Sequence, residues 1–304
     1  MQENITFPHR LNSVTELLSI LDITEKDCLQ AISKGYRRYK KYKNGKYRWI
    51  EEPNTRLKEI QQKLHEYLQV YLDCPPYCMA GFKTQNNIKN AQKHIKKREV
   101  ITMDISHYFP NTKTKYVEDF FVTTFGATGK LLNLLMDITT YNGYLPTGGA
   151  TSTLLSCFAH KNIFDSIYRK MQALNIDMTI YVDDITLSTN KHIGNWVIKY
   201  INNALKTHGL WLKKSKVKRF GYKYAVVTGV HISQCGRLLA PFKIGHSVIK
   251  TLQEKDLSMM TVGELQSLIA KIGYIRQLHP KKLAVTKDKA ITQLKKLQKQ
   301  QQKK

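Results

Sequence analysis

Two adjacent carboxylates stand between two short runs in which apolar residues alternate. Asp183 and Asp184 lie in TIYVDDITLS, residues 179–188, and the alternation on both sides predicts a β-hairpin with the carboxylates at its turn. Aspartate is also an ordinary turn residue, because its side chain bonds its own backbone. This turn lacks the glycine that a relaxed two-residue hairpin prefers, and neighbouring carboxylates repel each other without a cation. The pair therefore favours a divalent-metal site over a plain turn.

A third carboxylate, that of Asp104, lies further upstream at the end of a predicted strand. In EVITMDISHYFPNT, residues 99–112, apolar residues alternate up to Asp104, which predicts a strand that ends there. We expect the Asp183–Asp184 hairpin to bury one face and present the other.

The composition indicates a polyanionic partner. The chain has 304 residues, of which 42% are hydrophobic, and its 49 Lys and Arg against 23 Asp and Glu leave a net charge of +26. Nucleic acid is the first candidate for a protein this basic, and a merely solubilising or ribosome-like charge is the alternative. No window reaches the ~18 apolar residues of a membrane span, and no signal peptide is evident, so we expect a cytoplasmic protein without membrane contact. The five cysteines form no zinc-ligand pattern and are interpreted as reduced thiols.

Helical patterns surround the two strand motifs. A basic, aromatic hairpin is predicted around Asn44-Gly45. It could stack on nucleic-acid bases and contact phosphates, or it could be a solvated edge strand that lysines protect from further pairing. A motif with Gly148 and Gly149 precedes one long helix with a buried stripe from Leu154 to Ile167. Apolar periodicity predicts the remaining helices at 11–34 (two helices), 57–72, 116–136 (broken at two glycines), 192–208 and from a cap at Thr261. The pattern is that of an α+β protein.

The order and spacing of these motifs resemble those of reverse transcriptases. The strand that ends at Asp104, followed by an aromatic pair and Pro110, resembles motif A, and the Tyr-x-Asp-Asp hairpin resembles motif C. The resemblance implies a right-hand polymerase with fingers, a palm with an antiparallel sheet backed by helices, and a helical thumb. It also implies that Asp104 and Asp183 hold two Mg²⁺ ions, that Asp184 completes the acidic cluster, and that Ile105 belongs to the metal site.

The same resemblance assigns residues that bind the nucleotide. Arg48, in a segment similar to the fingers motif, would grip the triphosphate. Phe109 would be the steric gate beneath the incoming sugar, with core packing as the alternative. Thr147 and Gly148 lie in the equivalent of motif B, where Thr147 stands in place of the usual Gln. Lys216, in the equivalent of motif D, would assist proton transfer to pyrophosphate, or is simply solvated.

Two further motifs narrow the resemblance to retron-type reverse transcriptases, which are bacterial enzymes. The first matches the NAxxH element and the second, within a run that alternates as one strand, matches the VTG element. Their residues are Asn90, Ala91 and His94 in the first motif and Val227, Thr228 and Gly229 in the second. The retron resemblance implies dNTP substrates and a cognate structured non-coding RNA as template and primer. It also implies branched msDNA primed from an internal 2′-hydroxyl, host RNase H, and an effector protein in an anti-phage defence system.

The resemblance also divides the chain into domains. Residues 1–98 would form N-terminal helices and fingers, and residues 99–240 the palm with an inserted fingers segment at about 113–145. Residues 241–304 would form a thumb with a basic tail. Two alternatives to a retron enzyme stay open from sequence. One is another bacterial reverse transcriptase, of the group II intron or diversity-generating type, and the other is an RNA-binding scaffold in a defence complex.

Overall fold

The structure is a computed structural model that describes residues 11–43 and 45–301. The chain forms two compact units: the first comprises Met1–Asn86 and Ile101–Arg219, and the second comprises Asn87–Val100 and Phe220–Lys304. The second unit thus takes one segment from the middle of the chain. Among the described residues, no helix is both long and apolar enough to cross a membrane.

Two helices and a hairpin begin the described part of the chain, as the sequence predicts. Thr24 caps the second helix through a side-chain bond from the Asp27 amide, which explains the predicted separation. The predicted turn residue Asn44 lies outside the described residues, but Lys43 pairs with Lys46 in the hairpin register. The elements are α1 (Val14–Leu21), α2 (Glu25–Lys34), β1 (Tyr36–Lys43), β2 (Lys46–Pro53), α3 (Thr55–Tyr71) and α4 (Asn87–Gln92).

The middle of the chain is a strand followed by five helices. Gly126, with φ 65°, ends α6 in the left-handed conformation, as expected for a helix C-terminus. The single long helix predicted after Gly149 is instead two helices, interrupted at His160 (φ −113°, ψ 15°). The elements are β3 (Glu99–Asp104), α5 (Tyr108–Asn111), α6 (Thr114–Phe125), α7 (Gly129–Thr139), α8 (Ser152–Ala159) and α9 (Lys161–Ala173).

The predicted Asp-Asp hairpin forms and joins the strand that ends at Asp104. Its elements are β4 (Asp177–Tyr181) and β5 (Asp184–Thr189), followed by α10 (Asn195–Lys206), a 3-10 turn (Lys214–Lys216) and β6 (Lys218–Phe220). The four strands form one sheet in the order β4-β5-β3-β6, in which β4 and β5 are antiparallel. Antiparallel hairpins with helices packed against them confirm the predicted α+β class.

The expectation that the hairpin buries only one face was wrong. Met178, Thr179 and Ile180 are consecutive in β4, yet each is at most 3% exposed. Successive strand residues point to opposite faces, so both faces of β4 are covered. Helix α9 packs on β4, which makes this strand a buried element although its sheet is antiparallel.

The second unit combines a small sheet with three further helices. The Val-Thr-Gly segment is not inside one strand, as predicted, but forms the turn between β7 and β8. The elements are β7 (Tyr224–Val227), β8 (Val230–Ser233), β9 (Leu238–Leu239), α11 (Phe242–Glu254), α12 (Val262–Leu278) and α13 (Ala284–Gln301). Thr261 and Glu264 form a reciprocal capping box at the start of α12, which confirms the predicted cap.

Candidate active site

A two-residue turn places the motif C carboxylates at the tip of the β4–β5 hairpin. Tyr181 pairs with Asp184, so Val182 and Asp183 form the turn itself. Val182 has φ 58°, a left-handed conformation that costs a β-branched residue on the order of 1–3 kcal/mol. The Ile105 amide donates to the Asp183 carbonyl over 2.7 Å. Because Ile105 follows Asp104, this bond brings the motif A and motif C aspartates together.

Burial and neighbouring carboxylates raise the pKa of both Asp183 and Asp184. Burial, followed by the negative charge of Asp104, raises the pKa of Asp183. Burial and the charges of Asp183 and Asp104 raise the pKa of Asp184 to about 7. Lys216 and Arg48 act in the opposite direction but do not cancel these effects. The site therefore favours additional positive charge.

Lys216 lies against the motif A aspartate. The Lys213 amide donates to the Asp104 carbonyl over 2.8 Å, and the Ser106 amide donates to the Trp211 carbonyl over 2.9 Å. These backbone bonds bring the following 3-10 turn to the end of β3. The Lys216 ammonium donates to the Asp104 carboxylate in an ion pair. The sequence-predicted motif D lysine thus meets the predicted metal ligand directly.

The carboxylates of Asp104, Asp183 and Asp184 are suitable ligands for a divalent cation, although in this structure they do not point at one common position. Over the described residues, no three His, Cys, Asp or Glu side chains are arranged to hold one metal ion. One reason is that the Lys216 ammonium binds Asp104 in the position that a cation would take. Buried, mutually repelling carboxylates are the ligands that Mg²⁺ prefers. Ile105 can offer only its backbone carbonyl oxygen to a metal ion, since its side chain is apolar and its amide is a hydrogen-bond donor.

The motif B loop is fastened to the basic hairpin through Glu51. The Thr147 amide donates to Glu51 Oε2 over 3.2 Å, and the Gly148 amide donates to the Glu51 carbonyl over 3.1 Å. A Cβ on Gly148 would lie 2.5 Å from that carbonyl oxygen, so only glycine permits this approach. Glu51 is 2% exposed and pairs with Arg38 over 3.6 Å between Oε1 and Nε.

Glu51 was missed by sequence reasoning. It follows a run of basic and aromatic residues on β2, where a carboxylate resembles a solvent-facing partner for lysines. Nothing in the alternation distinguishes it from Glu52, which lies outward and pairs with Arg37. Arg48, on the same strand, is exposed and lies close enough to lower the pKa of Asp183 and of Asp184. The hairpin therefore links the predicted triphosphate ligand to the motif B loop.

Phe109 lies on α5, a single helical turn that follows the motif A strand. It is half-buried and packs against the core of the first unit, with its ring 5.8 Å from that of Tyr108. Tyr108 is buried, and its hydroxyl donates to the Ser156 carbonyl over 2.9 Å. The turn is therefore anchored to the motif B helix α8. Partial exposure of Phe109 leaves part of its ring available to a ligand.

The two retron-like motifs meet each other in the second unit. Asn90 donates through Nδ2 to Thr228 Oγ1 over 3.2 Å, and the Asn87 amide group donates to the Thr228 carbonyl over 3.3 Å. Thr228 and Gly229, with φ 46° and 85°, form the β7–β8 turn. His94 is 1% exposed and has interaction partners of its own.

The predicted site residues therefore divide into two sets, one in each unit. In the second unit, Ala91 and Val227 share an apolar core, next to the Asn90–Thr228 contact. The first unit holds Arg48, Asp104, Ile105, Phe109, Thr147, Gly148, Asp183, Asp184 and Lys216.

Comparisons with known proteins agree with this geometry. Residues 39–232 match the model of the family described as reverse transcriptase (RNA-dependent DNA polymerase). The Retron Se72 reverse transcriptase of Salmonella heidelberg (strain 579083-10) is 27% identical, over 67% of this chain and 56% of that protein. The Retron Ec48 and Ec86 reverse transcriptases of Escherichia coli are each 26% identical, over 68% and 66% of this chain and 53% and 63% of theirs. The chain thus spans little more than half the length of most of these relatives.

Among solved structures, a match is found to telomerase from Candida albicans in complex with a TWJ fragment of telomeric RNA. The TM-score is 0.48 at 11% identity, over 84% of this chain and 56% of that one. The family match covers well over half of the chain and includes the carboxylate hairpin, the strand that ends at Asp104 and the basic hairpin. From this match and the retron relatives, the chain belongs to the reverse transcriptase (RNA-dependent DNA polymerase) family and is of the retron type.

Proposed function

We propose that this protein is the RNA-directed DNA polymerase of a retron, which copies a cognate structured non-coding RNA into branched msDNA from dNTPs. The observation that carries the proposal is the hydrogen bond between Asn90 and Thr228. It joins the two retron-like motifs into one polar contact, in a unit that lacks the polymerase carboxylates. By resemblance these two motifs mark the retron group, so their contact supports a retron enzyme over a general polymerase.

The carboxylates of the first unit would hold the metal ions of the polymerase reaction. Asp104, Asp183 and Asp184 would bind two Mg²⁺ ions, which supply charge neutralisation for phosphoryl transfer when bound. Arg48 grips the triphosphate, because its forked guanidinium matches phosphate geometry in two places. Lys216, which pairs with Asp104 in this structure, would assist proton transfer to pyrophosphate.

The nucleotide would lie between the motif B loop and α5. Gly148 lets the loop backbone lie close to β2, which keeps the space above the loop open for the nascent base pair. Thr147 is held by its amide rather than by its side chain, so the loop is positioned without the usual Gln. Phe109 would act as the steric gate that excludes a ribose 2′-hydroxyl.

Branching needs a change of positioning rather than new chemistry. A 2′-hydroxyl of the RNA is a nucleophile much like the 3′-hydroxyl of a primer, provided that it lies in line with the α-phosphate. The net charge of +26 supports tight contact with the RNA backbone, and structured RNA is recognised largely by shape and backbone. The division into fingers, palm and thumb and the cytoplasmic location belong to the same proposal. The resemblance further implies host RNase H, an effector protein and a role in anti-phage defence.

The test is to purify the protein with its native RNA, digest with RNase, and analyse the DNA end. We expect DNA that keeps a nucleotide stub, which only a 2′,5′-debranching enzyme removes. DNA with a free 5′ end, or DNA extended from an RNA 3′ end, would place the protein with another type of bacterial reverse transcriptase. Primer extension with and without Mg²⁺ separates all of these enzymes from an RNA-binding scaffold, since a scaffold makes no DNA in either buffer.

A further inference from the structure

A polar chain leads from the end of α10 to the turn that carries Phe109. His208 Nδ1 lies 3.4 Å from His160 Nδ1, and His160 Nε2 lies 3.1 Å from Thr112 Oγ1. The Thr112 hydroxyl donates in turn to the Tyr108 carbonyl over 2.9 Å. His160 and Thr112 are fully buried, at 0% exposure each. No role in the polymerase reaction described above uses these groups.

The donors and acceptors of these side chains assign a direction to each hydrogen bond between His208 and Tyr108. Thr112 has one hydroxyl hydrogen, which it gives to Tyr108, so its oxygen must accept a hydrogen from His160 Nε2. A neutral imidazole carries hydrogen on one nitrogen only, so His160 Nδ1 accepts from His208 Nδ1–H. Burial, assisted by the nearby His208, lowers the pKa of His160 to about 3. The ring is therefore neutral at neutral pH, which keeps this arrangement of donors and acceptors.

This series of hydrogen bonds ends at α5, a helix that depends on other elements for its position. Helix α5 has only four residues, and so short a helix has no stability of its own. The Tyr108 hydroxyl anchors it from outside by bonding the Ser156 carbonyl in α8, and the Thr112 side chain, which caps the turn by bonding the Tyr108 carbonyl, connects it to His160. His160 lies at the break between α8 and α9, which lets its ring turn inward. The Tyr116 ring stacks on His208 at 5.1 Å and 6° and covers the outer end of the chain.

We propose that His160 and Thr112 are positioning residues for nucleotide selection, which orient the α5 turn so that Phe109 discriminates against ribonucleotides. The inference rests on the proposed role of Phe109 as a gate. Apolar packing of Phe109 permits small shifts of its ring, whereas hydrogen bonds of fixed direction specify one orientation. A gate that senses one oxygen atom depends on such an orientation.

Thr112→Val and Thr139→Val form the matched pair of variants. Thr139 is also fully buried, and its hydroxyl also donates to the carbonyl four residues earlier, in α7. Each substitution keeps the shape of the side chain. Thr112→Val removes the hydroxyl that links Tyr108 to His160, whereas Thr139→Val removes a hydroxyl that bonds only within its own helix. We expect Thr112→Val to lower the dNTP over rNTP ratio of kcat/KM by about three- to tenfold, the fold-change that a lost hydrogen bond commonly produces. Thr139→Val should leave the ratio unchanged.

His160 is tested through His160→Gln and His208→Leu. Glutamine keeps a hydrogen-bond donor for Thr112, so His160→Gln should retain most of the selectivity. If His160 only filled space in the core, glutamine would have no such advantage. His208 is half-exposed, so His208→Leu should fold, and loss of its N–H should relax selectivity less than Thr112→Val does. Thermal unfolding of each variant separates lost stability from lost selectivity. A purely structural role lowers kcat for both kinds of nucleotide equally.

Phe109→Ala serves as the reference that separates the two proposals. If Phe109→Ala relaxes selectivity and Thr112→Val does not, or if Thr139→Val relaxes it equally, the positioning role is overturned and the gate stands. If Thr112→Val relaxes selectivity while Phe109→Ala does not, the gate assignment falls and the chain positions another residue of the turn. Unchanged selectivity in both variants overturns both proposals.

Discussion

The Ile105 amide donates a hydrogen bond of 2.7 Å to the carbonyl oxygen of Asp183. This bond ties the tip of the catalytic hairpin to the residue that follows Asp104, and it does so through backbone atoms alone. Side-chain substitutions at the three aspartates should therefore leave the geometry of the hairpin in place. The chemistry of the carboxylates can be changed separately from the fold.

Asp183→Asn should abolish DNA synthesis without unfolding the protein. The substitution removes a charge that the metal ions need and relieves repulsion from Asp104 in the metal-free protein. Primer extension should show no product, while thermal unfolding and RNA affinity remain close to those of the wild type. The control is Asp137→Asn, an exposed aspartate of α7, which should keep full activity. Wild-type synthesis by Asp183→Asn would refute the metal assignment.

The metal-free protein should lose stability as pH rises, partly through Asp184. The folded state holds the Asp184 proton with a pKa of about 7, against an ordinary value of 3.8. Folding therefore takes up a proton between these values, and the free energy of unfolding declines through this window and is constant above it. Thermal unfolding in EDTA, followed from pH 5 to pH 8, measures the decline. Asp184→Asn should make it shallower.

Mg²⁺ should reverse this effect, because a bound cation favours the ionised carboxylates. The rise in unfolding temperature on addition of Mg²⁺ should be larger at pH 8 than at pH 5, and smaller in Asp184→Asn than in the wild type. An equal pH slope in the wild type and in Asp184→Asn would show that Asp184 ionises normally in the folded protein.

Glu51→Ala should weaken nucleotide binding. The substitution removes the acceptor of the Thr147 amide and the partner of Arg38, and unsatisfied buried groups cost about 1–3 kcal/mol each. The loop should become mobile, and we expect KM for dNTPs to rise about tenfold, with a smaller effect on kcat. Glu51→Gln keeps an acceptor oxygen and should retain most of the affinity.

Glu52→Ala is the matched control for Glu51. Glu52 is the next residue of β2, but its carboxylate pairs with Arg37 at the surface, where such pairs contribute about 1 kcal/mol at most. It should leave KM unchanged. Equal effects of the two alanine variants would mean that the charge of the hairpin matters and the bond to the loop does not.

Asn90 and Thr228 should be energetically coupled. In a double-mutant cycle with Asn90→Ala and Thr228→Val, we expect a coupling free energy of about 0.5–1.5 kcal/mol from urea unfolding, the contribution of one hydrogen bond. A second cycle pairs Asn90→Ala with Thr251→Val, which removes a hydroxyl that bonds Ser247 within α11, and should be additive. If both cycles are additive, the hydrogen bond between Asn90 and Thr228 contributes nothing to the free energy of unfolding.

The sequence predicted the positions of helices and strands more successfully than their burial and packing partners. Alternating apolar residues located the hairpin around Asp183, and the cap at Thr261 was confirmed to the residue, because caps and alternation are local signals. Burial of both faces of β4 depends on helix α9, which packs there only in the folded chain. The Val-Thr-Gly segment alternates like a strand, and its positive φ angles at Thr228 and Gly229 become evident only in the structure.

The candidate site could be predicted only in part, for a similar reason. The resemblance located the acidic residues, and the structure brings Lys216 onto Asp104. Glu51 and His160 gave no signal, since their neighbours in sequence differ from their neighbours in space. Glu51 bonds Thr147, 96 residues away, and His160 bonds Thr112, 48 residues away. Such long-range polar partners are invisible to periodicity.

The second unit is built from two segments of the chain, and this constrains how the protein can be recombined with its relatives. Asn90 and Thr228 are hydrogen-bonded partners 138 residues apart, separated by the whole of Ile101–Arg219. A chimera that exchanges residues 220–304 alone would leave Asn90 facing a foreign turn. A chimera that moves this unit between related chains therefore requires two grafts, residues 87–100 and 220–304, with residues 101–219 between them left intact.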